Sequence, residues 1–436
     1  MIRILVFVIL LSQVSFAQNR MAPLNFEGKA LVSVSDADMV SSAYVDGKLG
    51  EKEGRDAISL IPLTGNYKDW KAYETFASNS VAGPPCSVAV SPEGKYAFVV
   101  ETFTPPSEGG TTFNDLSIGR LLSVFDIGNP RNPKLLETKD IGERPVGVSV
   151  SPNGDWLAIG YYSNGNKNLG LIPFKNSRLG EVYTFTIPNV DPETAANEID
   201  WHPSGQYLAA VMQNSNQIAF MKVDLSKGKP IVEGYGNVVG TGKYPMKGDF
   251  TPNGNHYITT CLYWGPDVDG TWIEAPRGQL NSIRFDSSPD DGKILHSNIS
   301  TAEAGISPEG FSISNDGTLL VTTNLERSYL PYESKSAEPR ITWYSSLSLL
   351  SIDKKTGKLG HIGDYYFQGV LPEAAVFDAS DNYLAVAVFD SFDDSRKGSR
   401  IDFWRVVKQA GETPFLVNTN HNVPVARGVH SMVLIK

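Results

Sequence analysis

Residues 145–160 read PVGVSVSPNGDWLAIG, and residues 85–100 read PCSVAVSPEGKYAFVV. Both follow one plan: a proline, an alternating apolar strand, a tight turn and a denser apolar strand. Val148 and Val150 alternate with small residues before the turn, as Val88 and Val90 do. Period-two alternation marks a strand with one buried face. In Ser-Pro-Asn-Gly and Ser-Pro-Glu-Gly the proline presets φ, and the glycine takes φ > 0 at no steric cost. The unit is a β-hairpin.

The unit returns four more times. It opens at Ala196 (ANEIDWHPSGQYLAAV), Pro245 (PMKGDFTPNGNHYITT), Pro308 (PEGFSISNDGTLLVTT) and Pro372 (PEAAVFDASDNYLAVA). The anchors thus recur at fairly even intervals from Pro85 to Pro372, and such self-similarity marks a repeat architecture. Two more strands follow in each unit. One is apolar and often ends in aspartate, as in LLSVFDI (121–127) and SLSLLSID (346–353); the other precedes the next anchor. With no long helical stretch, this predicts an all-β chain of β-propeller blades, each of four antiparallel strands.

The two ends supply the last blade. Residues 426–434 (ARGVHSMVL) match a first strand with nothing after it. Residues 29–34, 56–61 and 70–76 read as second, third and fourth strands with nothing before them. The expectation is a seven-bladed β-propeller, closed by the C-terminal strand joining the N-terminal strands. Such closure removes two exposed sheet edges. One domain over residues 18–436 is expected; a pair of smaller β-domains is the alternative, but no Gly/Ser-rich or charged linker divides the chain.

Residues 1–17 have the order of a secretory signal peptide: Arg3, an apolar run from Ile4 to Leu11, then Ser15-Phe16-Ala17 before the cut. The run is shorter than the roughly 20 residues that span a bilayer, and no cysteine follows the cut to carry a lipid. A periplasmic or secreted protein, without stable membrane insertion, is expected. The net charge of −10 argues against nucleic acid as a partner; a monomer is expected. Cys86 and Cys261 fall on blades across the ring from each other, so free thiols are expected.

The SPEG and SPNG turns, the anchor proline and KTGKL (355–359) resemble the lactonase-type seven-bladed propellers. That group includes the propeller-type 6-phosphogluconolactonases, the fungal muconate-lactonizing enzymes and the YVTN-repeat proteins. The resemblance covers nearly the whole mature chain. Two turns depart from it, Ser-Asn-Asp-Gly in the fifth unit and Asp-Ala-Ser-Asp in the sixth, and YVTN itself does not occur. It implies a metal-independent hydrolase or isomerase acting on a small lactone or sugar acid. A related group of these propellers binds a d1-type haem through an axial ligand, usually histidine.

In a propeller, the loops that lead into the first strands, and those joining second to third strands, surround the channel on one face. The second-to-third loops are long at 102–119, 262–279, 324–344 and 391–399, with Tyr263, Trp264, Trp272, Tyr329, Tyr332 and Trp343. Long loops on a compact scaffold tend to be functional. One residue after each anchor stand Cys86, Val146, Asn197, Met246, Glu309, Glu373 and Arg427, with His430 deeper in the last strand. His430, Glu373 and Arg427 form the candidate catalytic set: a carboxylate and histidine for proton transfer, and a cation near a developing oxyanion. Glu309, Glu198, Lys247, Arg120 and Arg400 are candidate binders of a small anionic or lactone ligand. For Glu198, Asp200, Lys247 and Asp249, mutually paired ions are the competing reading. Arg55, Arg120, Arg277, Arg340 and Arg400 share a position before third strands, where they either collar an anion or pair with local acids such as Asp56 and Asp402. His202 stands in a turn on the far face, and His256 starts a strand there.

No cofactor is expected. Asp267-Val-Asp269-Gly270 lacks the spacing and terminal glutamate of a calcium loop, and no His/Cys cluster has metal-ligand spacing. No Gly-x-Ser-x-Gly, phosphate-cradling glycine loop or dinucleotide fingerprint occurs. A second function remains beside the enzyme: a non-catalytic propeller that binds a ligand or protein through its long loops.

Overall fold

The structure is a computed structural model describing residues 23–80, 82, 85–162, 165–264, 276–288, 292–330, 344–391 and 398–436. Seven antiparallel sheets form the blades of a closed ring. Their innermost strands are Val88–Val90, Pro145–Val150, Ala196–Trp201, Pro245–Phe250, Pro308–Ile313, Val370–Phe377 and Val429–Ile435. These are called blades 1 to 7 in that order. Each inner strand touches the next, and the seventh touches the first.

The seam is the predicted one. Val429–Ile435 pairs with Ala30–Ser35, which pairs with Ala57–Pro62 and then Tyr73–Phe76. In blades 2 and 3 the outer strand is split into two short pieces, Arg178–Leu179 with Tyr183–Phe185 and Ile231–Gly234 with Val239–Gly240.

The turn chemistry explains why unlike sequences make like hairpins. In blade 2, Gly154 N–H donates to Ser151 O and Trp156 N–H to Ser151 Oγ, with Gly154 at φ +78°. In blade 6, Asp378 and Asp381 take the serine and glycine places. Asp381 adopts φ +57°, and Tyr383 N–H donates to Asp378 Oδ1 at 3.0 Å. Aspartate tolerates the left-handed region and offers the same acceptor. His202 stands in the serine place of blade 3, where Gly205 N–H donates to its carbonyl.

Seven apolar clusters fill the seven gaps between neighbouring blades. Strand 429–435 serves two of them, through Val429 and Met432 on one side and Ile435 on the other. Cys86 and Cys261 are buried and free. No helix among the described residues is long and apolar enough to cross a membrane.

An eighth apolar cluster lies over the channel rather than between blades. Residues 36–56, the second-to-third connection of blade 7, fold across the loop face and carry one helical turn, Ala43–Asp46. Met39, Ala43 and Leu49 bury against Met246, Trp264 and Tyr329 from blades 4 and 5. Phe113 N–H donates to Gly47 O, and Leu49 N–H to Thr111 O, tying this lid to the long loop of blade 1.

Candidate functional site

At the loop-face end of the inner strands the ladder slips. The shift falls between Pro145 and Gly147, Ala196 and Glu198, Pro308 and Gly310, and Pro372 and Ala374. In blade 4 it spans Met246 and Lys247, and in blade 7 it omits His430. A bulge leaves its extra residue out of the ladder and re-aims the side chain. The residues so released are Val146, Asn197, Glu309, Glu373 and His430, with the blade 4 pair. Four strands also turn in through a left-handed residue just before the anchor: Arg144, Tyr244, Ser307 and Leu371, at φ +50° to +56°.

All the bulge residues but the half-buried Lys247 are buried, and several lack partners among the described residues. Glu373 is 0 % exposed, and neither carboxyl oxygen has a hydrogen bond among the described residues. The same holds for both amide atoms of Asn197 and for His430 Nδ1. Burial pushes the Glu373 carboxyl well above the usual range, and Glu309 and Asp36 add to the effect. Burial raises Glu309 to about 8. Near neutral pH Glu373 therefore holds its proton, and Glu309 lies close to exchanging one. Burial holds His430 neutral, with a pKa lowered to about 3.

His430 Nε2 lies 2.7 Å from Asn79 Oδ1. Asn79 Nδ2 already donates to Ser35 O and Ala77 O, so Oδ1 accepts and His430 carries its proton on Nε2. Nδ1 is left as a bare acceptor. The set proposed from sequence is thus only partly assembled. No hydrogen bond joins His430 to Glu373, and Arg427 donates to Ala37 O, with Glu53 3.6 Å away.

Beside this ring lies a cavity of about 180 Å³, lined by Glu309, Asn197, Gln213, Arg144, Tyr44 and Tyr244, among others. Tyr44 comes from the lid. Burial raises its phenol, with Glu373, Glu309 and Asp36 adding to the shift. Arg144 stacks on Phe103 and Tyr162, at 4.9 and 4.4 Å from their ring centroids. The cavity itself thus offers one carboxyl, Glu309, and a stacked cation, Arg144; Glu373 and His430 belong to the same ring of bulge residues but do not line it. Together they are the elements of proton transfer next to an anion.

Of the charged set on blades 3 and 4, Lys247 and Glu198 form the ion pair that the competing reading of the sequence held. Lys247 Nζ lies 2.9 Å from Glu198 Oε1, and Gly248 N–H donates to Glu198 Oε2. Tyr257 donates to Asp200 Oδ2 at 2.6 Å. Burial alone would lower the Lys247 pKa, but Glu198, Asp200 and Asp249 outweigh it and raise it.

The described arginines before third strands do not gather at the channel. Arg120 pairs with Asp140 and Glu143 on the outside of blade 1. Arg277 pairs with Asp364, and Arg400 with Asp402. Arg55 lies over Phe76. Residues 1–17 and 267–270, and Arg340, Trp272, Tyr332 and Trp343, lie outside the described residues.

Sequence reasoning missed the lid, Arg144, Tyr44 and one carboxylate cluster. Asp36, Asp38 and Asp56, all buried, bring oxygens within 4.8 Å of one another. Lys52 pairs with Asp38, and burial, then Asp36 and Asp38, raise Asp56 to about 8. Arg144 had a signal, its place just before an anchor proline; the carboxylates had none, because the whole lid separates Asp56 in sequence from Asp36 and Asp38.

Solved structures share this architecture. A provisionally assigned 6-phosphogluconolactonase of Bacteroides uniformis aligns with a TM-score of 0.60 and 17% identity, over 94% of this chain and 100% of that one. A second such protein, from Bacteroides fragilis, gives 0.61 and 14%, over 94% and 98%. A periplasmic gluconolactonase of Pseudomonas aeruginosa gives 0.62 and 16%, over 93% and 99%. These structures thus share the seven-bladed propeller fold that the sequence resemblance implied. No known family model matches the sequence, and no curated protein does. At such low identity the likeness is one of fold, and one fold hosts many functions.

Proposed function

We propose that the protein is an exported, lactonase-like propeller that hydrolyses or isomerises a small lactone or sugar acid at the head of its channel. The observation that carries this reading is the ring of bulge residues. Asn197, Glu373 and His430 hold buried polar atoms without partners among the described residues, a costly arrangement that a bound polar ligand relieves. In this reading Glu309 takes a proton from water, Glu373 returns one to the leaving oxygen, and His430 Nδ1 accepts a substrate hydroxyl. Arg144, which lines the cavity, is the better placed cation, because Arg427 is already engaged with Ala37 and Glu53. Arg144 stabilises the charge that develops on the carbonyl oxygen.

The cavity is small beside ordinary ligand pockets of roughly 300–1,000 Å³, so turnover requires the Tyr44 lid to move. The same closed lid favours the second reading, a propeller that binds a partner through its loop face without chemistry. Export is supported by the pattern of residues 1–17 and by the periplasmic neighbour; N-terminal sequencing of the exported protein should begin at Gln18.

The test is a panel of aldonolactones and their phosphorylated forms, followed by pH-stat with the mature protein, Glu373→Gln and His430→Ala. Turnover above the uncatalysed rate, reduced about 10²-fold or more by Glu373→Gln, is expected for an acid–base group. No turnover of any lactone would leave the binding reading in place.

A further inference from the structure

A second concavity, of about 770 Å³, opens on the flank of the ring between the outer parts of blades 5 and 6. Its volume falls within the usual range of ligand sites, roughly 300–1,000 Å³. The third strand of blade 6, Ser399–Val407, and its outer strand, Phe415–Val425, form one wall. The end of the outer strand of blade 5, Leu359–Gln368, forms the other.

The wall chemistry is neutral and rich in paired donors and acceptors. Asn418, Asn420 and Asn422 alternate along the outer strand and all line the groove. Each primary amide offers two donors and an acceptor in one plane. The two charges present cancel: Arg400 Nε donates to Asp402 Oδ1 at 2.8 Å, and its Nη2 donates across to Gln368 O at 2.6 Å. Aromatic surface comes from Tyr365, which is partly exposed, and Tyr366, which is exposed, while Phe367 is buried. Phe367 packs edge-on to Trp404 with ring centroids 5.6 Å apart. Trp404 also lines the groove and is 3 % exposed. Its indole N–H has no hydrogen-bond partner among the described residues, and a buried donor left unpaired is uncommon and costly.

We propose that this groove binds a neutral oligosaccharide. Planar amides match vicinal hydroxyls, an aromatic face matches the apolar face of a sugar ring, and a wall without net charge selects against ions. An added peptide strand fits less well. Asn420 stands at φ +59°, the ladder slips between Asp402 and Trp404, and Pro424 lacks an N–H. Bulges and proline blunt a sheet edge against strand addition. The proposal is independent of any chemistry in the channel.

The test uses the mature protein and isothermal titration with maltohexaose, cellohexaose, laminarihexaose and xylohexaose, plus an uncharged extended decapeptide. Trp404→Phe keeps a ring and removes the unpaired N–H. Asn420→Gly suits its backbone angle and removes one amide. At least one hexasaccharide should bind, and each variant should weaken that binding about three- to tenfold, the worth of one hydrogen bond, with circular dichroism showing that each stays folded at the titration temperature. Failure of all four sugars to bind overturns the proposal, as does binding that neither variant weakens. Binding of the peptide alone overturns it in favour of strand addition.

Discussion

Replacing Glu309 by glutamine should change how the stability of the protein depends on pH, and the sign is fixed by the structure. Glu309 is 3 % exposed, and burial raises it from 4.5 to about 8 in the folded chain. The protonated form is therefore favoured by folding. That contribution is fully present below about pH 4.5 and is lost as pH rises through 8. A difference of about 3.5 pH units, at ~1.36 kcal/mol per unit, sets a ceiling of about 5 kcal/mol. Glu373, beside it on the next blade, shares the cost of charging, so about 3–5 kcal/mol is the working range. Glutamine mimics the protonated acid. At pH 5 the variant should match wild type to within about 1 kcal/mol, and by pH 8.5 it should be the more stable by several. Urea unfolding at pH 5, 6.5 and 8.5 measures this, and taking the difference cancels every other titrating group, the buried histidines included. If the variant is less stable than wild type at pH 8.5, or if the difference does not change with pH, Glu309 is not buried as described.

Deleting residues 427–436 removes the inner strand of blade 7 and part of two interblade clusters; circular dichroism melting should show loss of the cooperative transition. Lys247→Met leaves Glu198 and its neighbours without their cation and should cost about 3–5 kcal/mol at pH 8, with less lost at pH 5. Gly428→Ala forces a side chain onto φ +87° and into the Asp36 carbonyl, so thermal unfolding should show a loss of at least ~2 kcal/mol at the seam.

Most of the architecture was legible because it is local. A proline, a period-two strand and a Gly-containing turn specify each hairpin within one short stretch such as 145–160, and the unmatched ends at 29–76 and 426–434 revealed the seam. The identity of the site residues was legible in part for the same reason. Counting from the anchors placed Asn197, Glu309 and Glu373 at one level of the ring, where the structure has them, but put Arg427 at that level in the last blade and His430 deeper, where the bulge instead releases His430. Their release from the ladder was not legible, because a bulge is a property of two strands in register. The lid was missed because the single turn Ala43–Asp46 is held by packing against blades 4 and 5 rather than by its own propensity. Of the two readings of the arginines, pairing with local acids is the one found, because Arg120, Arg277 and Arg400 reach acids on their own or the neighbouring blade before they reach the channel.

The most direct test of the channel-head site is a pH–rate profile of lactone opening, corrected for spontaneous hydrolysis, on wild type and Glu309→Gln. A buried carboxyl that titrates near 8 should give an alkaline-rising limb with its midpoint near that pH, and the glutamine variant should lose the limb. A profile with the same limb in both proteins, or no protein-dependent rate at any pH, would contradict the site as described.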